Sequence, residues 1–146
     1  VMFDGMETLA VSKYGIDRWI LTELRQGGVM LLLGTDAGTG GMGIVPGYSL
    51  HEELRILVDN GFTPYEAIAT GTVNAATVVE RMTGGGNFGT IEEGKRADLI
   101  LAQGNPLHDV TTLRTPLGVM AAGRWYDQET LAEMVEPARK FLTGGE

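Results

Sequence analysis

The residues best placed to do chemistry gather in one stretch, Val29 to Ser49, VMLLLGTDAGTGGMGIVPGYS. Asp36 lies just past its five consecutive apolar residues, Val29 to Leu33. A carboxylate at the C-terminal end of a buried strand can take a proton from an attacking water and return it to a leaving group, and it can ligate a divalent metal. Asp-Ala-Gly is equally ordinary turn chemistry, so a capping role for Asp36 stands beside the catalytic one. His51 is the next candidate, but it falls in the first turn of a capped helix beside Glu52 and Glu53, where a plain polar residue is expected. A third feature is Gly38-Thr39-Gly40-Gly41-Met42-Gly43, which has the G-x-G-x-x-G form of a dinucleotide-binding loop, with Asp59 downstream. That reading needs the last glycine to enter a helix directly and a parallel strand to follow. Here Pro46 and a cap at Ser49 intervene, and the next helix runs into another capped helix.

A run such as Val29 to Leu33, apolar without alternation, suits a strand covered on both faces, as in a parallel sheet. In such sheets and barrels the C-terminal strand ends carry the catalytic groups. Upstream, Ile16, Trp19, Ile20 and Leu24 repeat at helical spacing and predict a helix over 16–26, ended by Gly27-Gly28. Downstream, Ser49-Leu50-His51-Glu52 predicts a capping box and a helix from Leu50 that stops at Asn60-Gly61. Thr63-Pro64-Tyr65-Glu66 repeats the pattern with Pro at the first helical position. The helix it opens should break near Gly71, resume through Asn74 to Arg81, and end in Gly84-Gly85-Gly86. After Phe88 the character becomes β. Thr90-Ile91, Asp98 to Ala102, Val119 to Ala122 and Arg124 to Tyr126 read as short strands, the last two joined tightly at Gly123. The tail shows Leu131, Met134, Val135, Ala138, Phe141 and Leu142 at helical spacing behind Thr130-x-x-Glu133, with Pro137 expected to kink it or open a second segment and the stripe expected to pack on the body.

Composition narrows the function classes. The 146 residues are about one domain, 43% hydrophobic and 21% charged, as in globular proteins. Eleven basic against nineteen acidic residues leave a net charge of −8 without a basic block, which argues against nucleic acid or an anionic membrane as partner. Cysteine is absent, which excludes disulfides and thiolate sites and is compatible with a reducing cytoplasm. There is no apolar run of about 18 residues, and VMFDGMETLAVSKYG lacks the pattern of a signal peptide, so a cytoplasmic location is expected.

LLLGTDAG, then VPGYSLHEELRILVDNGFTPYEAIATGTVNAA, then FGTIEEGKRADLILAQGNPL and VMAAGRWY resemble, in order and spacing, the C-terminal part of the amidohydrolase superfamily. The branch most similar contains imidazolonepropionase-like hydrolases and metal-dependent Xaa-Pro dipeptidases. The resemblance implies an α/β fold: the end of a (β/α)8 TIM barrel, with one or two divalent metals, zinc foremost, at the strand C-termini, and the returning half of a small β-sandwich. Residues 1–87 would be barrel, 88–126 sandwich and 127–146 a helical tail. Asp36 would match the family's Asp at the end of the eighth strand, as metal ligand and proton shuttle. Thr35, Gly38 and the loop to Gly47, with His51 as a weaker candidate, would line the substrate pocket, and His108 would lie on the sandwich surface. The family's H-x-H pair, lysine or glutamate bridge and further histidines have no counterpart here, since the two histidines both follow the eighth strand. The expectation is therefore a C-terminal fragment, inactive alone, of a hydrolase cleaving amide-type C–N bonds in a small molecule or short peptide, with a homo-oligomeric parent left open. The alternative is a stand-alone binding or structural module derived from such an enzyme.

Overall fold

Helices dominate the first half because capping and breaking signals there are local and strong. The computed structural model describes residues 15–38 and 44–143. Helix α1 spans residues 15–26, and α2 (Tyr48–Asp59), α3 (Pro64–Gly71) and α4 (Val73–Thr83) follow the central stretch. At the start of α3 the Thr63 N–H donates to Glu66 Oε2 at 2.7 Å and the Glu66 N–H donates to Thr63 Oγ1 at 3.2 Å, the reciprocal box expected, with Pro64 at the first position. The break near Gly71 is a single non-helical residue, Thr72, and Gly84 closes α4 in the left-handed conformation. Helix α2 departs from expectation. It begins at Tyr48 behind Gly47 with no side-chain cap, and Ser49 Oγ instead accepts from the Val45 N–H at 2.8 Å. A serine hydroxyl has more than one backbone partner within reach, and here the preceding turn takes it.

The β half is an antiparallel sheet in the order β1 (Leu99–Leu101), β2 (Gly118–Ala121), β3 (Arg124–Asp127). Leu99 pairs with Met120 and Val119 with Tyr126. Ala122 and Gly123 join β2 to β3 with φ of 48° and 81°, the two positive values of the primed hairpin turn whose twist matches the strands. Thr90-Ile91, expected as a strand, is not one, and Ile91 is 87% exposed. A 3-10 turn, Val110–Arg114, carries Val110 into the same core cluster as Leu54 and Leu57 of α2, Phe62, and Ala67 of α3. Arg114 secures that docking with an ion pair to Glu52 at 2.9 Å and by lying over the Tyr48 ring.

Two apolar stripes are partly exposed. On α1, Trp19 and Ile20 are exposed and Leu21 is the residue packed on the core. The last helix, α5 (Gln128–Thr143), runs through Pro137 without interruption, and Met134 and Val135 are each 62% exposed. Its start is capped by Asp127, whose Oδ1 accepts from the Thr130 N–H at 2.9 Å, not by Thr130. The side chains of Ala138, Phe141 and Leu142 lie outside the described residues. Among the described residues no helix is long and apolar enough to cross a membrane.

Candidate functional site

The segment leading to Asp36 is the largest departure from the sequence expectation. Residues 29–36 pair with no strand among the described residues, since the neighbours that would build a ladder are not among them. The segment is instead held by its helices. The Leu33 N–H donates to the Thr70 carbonyl at 3.2 Å, the Asn74 amide donates to the Leu31 carbonyl at 3.0 Å, and the Gly34 N–H donates to Glu53 Oε1 at 3.2 Å. Leu33 also lies so close to Gly71 that a Cβ there would meet its Cδ2 at 3.0 Å. Asp36 follows, exposed and at φ 50°, a left-handed conformation that Asp tolerates better than most residues.

His51 faces elsewhere. It lines an open, mainly apolar cavity of about 420 Å³ together with Leu33, Leu50, Leu54, Thr90 and Leu113. Neither Asp36, Thr35 nor Gly38 lines that cavity, so Asp36 and His51 do not share it. His51 Nδ1 and Thr90 Oγ1 are buried there without a hydrogen-bond partner. His108 is exposed in the loop where its N–H donates to the Asn105 carbonyl at 3.0 Å. Residues 39–43, which carry most of the glycine motif, lie outside the described residues.

Residues 11–126 match the amidohydrolase family. The chain belongs to that family. The amidohydrolase chain is 36% identical over 93 residues to ochratoxinase from Aspergillus niger, a match covering 63% of this chain and 18% of that protein. Among solved structures it resembles a Xaa-Pro dipeptidase with bound methionine (TM-score 0.62, 31% identity, 75% of this chain and 25% of that one). It also resembles phenylurea hydrolase B (TM-score 0.63, 27% identity, 77% and 27%). The chain thus spans about a fifth to a quarter of the length of these relatives.

The family implies a divalent metal, but the donors present do not make up a site for one. No group of three His, Asp or Glu side chains among the described residues could hold an ion, and a catalytic metal normally has three protein ligands. Asp36 alone is one ligand.

The environment of His51 has a consequence for this amidohydrolase chain. Burial, and next the Arg114 charge, hold the imidazole below its ordinary value near 6.5, while Glu52 opposes them. The folded state therefore prefers neutral His51. As pH falls below about 6.5 the unfolded chain binds the proton first, so stability is complete above that value and is lost on acidification. Thermal melting should show a loss from pH 7.5 to 5.5 that shrinks in His51→Gln. An equal loss in both proteins would remove His51 as its source.

Glu53 and Asn74, which set the path of the segment before Asp36, did not stand out in the sequence. Glu53 looked like one more acid of a helix start. The signal for Asn74 was a polar, poor helix former in the opening turn of a helix, just after a break.

Proposed function

We propose that this chain is the C-terminal part of a metal-dependent amidohydrolase that cleaves amide-type C–N bonds in a small molecule or short peptide: a dipeptide, an N-acyl amino acid or a cyclic amide. The observation that carries the reading is Asp36, set at the end of the 29–36 segment inside the family-matched region. The relatives' names point the same way, since a dipeptidase and a phenylurea hydrolase are named for substrates with C–N bonds.

In this reading the Asp36 carboxylate accepts a proton from the attacking water and delivers it to the departing nitrogen, which leaves as an amine and not as the far more basic amide anion. Asp36 is exposed and sits in a turn at φ 50°, while the residues before it stay anchored to α2, α3 and α4. The described residues do not by themselves make the site of a metal. Zinc is the metal proposed for the complete enzyme, with Asp36 as one ligand.

The test is hydrolysis of a panel of dipeptides, N-acyl amino acids and cyclic amides by the intact parent enzyme before and after chelation. Activity should vanish on exhaustive metal removal and return with a divalent ion, whereas the 146 residues alone should give no turnover. Full activity in the metal-free parent would refute metal dependence. No cleavage of any C–N bond in the panel would favour a non-catalytic module.

A further inference from the structure

We propose that Asn74 and Glu53 are positioning residues, forming with the end of α3 a three-point clamp that fixes the chain ahead of Asp36. The inference rests on the reading of Asp36 as the proton-transferring group, and it adds what holds that group in place.

The physical need is plain. A backbone group withdrawn from water needs a hydrogen-bond partner, and each partner found fixes the path of the chain at that residue. Three backbone groups of the 29–36 segment, at Leu31, Leu33 and Gly34, are taken by three different helices. The partner at Leu33 exists because α3 ends at Gly71: the last carbonyls of a helix have no intrahelical donor, and the Thr70 carbonyl is one of them. The partner at Leu31 is a side chain 43 positions away, and that at Gly34 a side chain 19 positions away. Gly71, lacking a Cβ, lets Leu33 settle against the same α3 end. The clamp thus stops two residues short of Asp36, at the turn where the chain enters the left-handed conformation. Neither clamp side chain reaches the reacting atoms in this arrangement. They act through the backbone that carries Asp36.

The experiment is amide hydrogen exchange on this chain, paired with kinetics on the intact parent. Asn74→Asp keeps the shape but cannot donate to the Leu31 carbonyl, and a carboxylate in the first turn of α4 suits the helix dipole, so the fold should survive. Exchange over residues 29–36 should rise about fivefold, the scale of one lost hydrogen bond. In the parent, kcat should fall at least about tenfold with KM little changed, as for a displaced reacting group. Glu53→Ala, which keeps α2 helical, should behave alike, while Glu53→Gln retains an acceptor and should restore both readouts. Thr77→Ala, which removes a bond internal to α4, is the control and should leave residues 29–36 unchanged. Unchanged exchange in both Asn74→Asp and Glu53→Ala overturns the clamp, as does an equal rise in Thr77→Ala. Raised exchange with wild-type kcat overturns the positioning role. A parent that hydrolyses nothing overturns the functional reading itself, which the exchange data would distinguish from a failed clamp.

Discussion

Asp36→Asn in the intact parent enzyme should leave the protein folded and lower kcat by at least about 100-fold, the usual scale for a positioned acid-base group. The exchange is nearly isosteric, and Asn is also at ease in the left-handed conformation that this turn requires, so the backbone at φ 50° has no reason to change. What disappears is the basic oxygen. An amide cannot take the proton of water, and it is a poorer ligand for a hard divalent ion than a carboxylate. Asp36→Asn therefore separates the two readings set out at the start: a residue that merely caps the turn would tolerate Asn, whereas a proton shuttle would not. Steady-state kinetics with the metal content of the purified variant measured alongside is the check. Turnover near the wild-type level in a folded, metal-loaded Asp36→Asn protein would remove Asp36 from the mechanism.

Gly89→Ala should destabilise the chain by about 2–4 kcal/mol, which for a chain of this size lowers the melting temperature by roughly 8–15 °C. Two costs coincide at this glycine. Its φ is 92°, where a Cβ is strained, and the added carbon would meet the Thr72 carbonyl oxygen at 2.7 Å and Ala76 Cβ at 2.8 Å. Both obstacles belong to the α3–α4 junction and α4 itself: one is backbone and the other a carbon fixed to a helix, so neither can swing aside. The chain passes here from the helices to the β half, and relief of the clash would have to push the two apart. Gly94→Ala is the comparison, since Gly94 has φ 84° but nothing within 4 Å. It should show only the backbone cost, about 1–2 kcal/mol. Equal melting temperatures for the two variants in scanning calorimetry would discard the steric argument.

The sequence alone determined the features that depend on near neighbours. The Thr63 box, the stop at Asn60-Gly61 and the break beside Gly71 are each decided by partners a few positions apart and are found where the residues predicted them, as is the hairpin at Gly123, except that Ala122, read as strand, belongs to its turn. The ordered motifs from LLLGTDAG to VMAAGRWY also sufficed for the family, because their order and spacing survive without coordinates. Ser49 shows the limit even of local signals, since its hydroxyl had two backbone claimants and only the folded turn chose Val45. Everything decided by distant partners required the tertiary structure. The apolar run at Val29 to Leu33 names a strand, but a strand exists only through a ladder, and among the described residues its backbone bonds go to Leu24, Asn74 and Thr70 instead. His51 looked like a surface residue of a first turn, whereas in the fold it is half-buried on an apolar cavity that Leu113 also lines, and burial with the Arg114 charge lowers its proton affinity. Apolar stripes on α1 and α5 encode that a face can be buried, whereas whether anything lies against it is a property of the rest of the fold: Leu21 found the core, and Trp19, Met134 and Val135 did not.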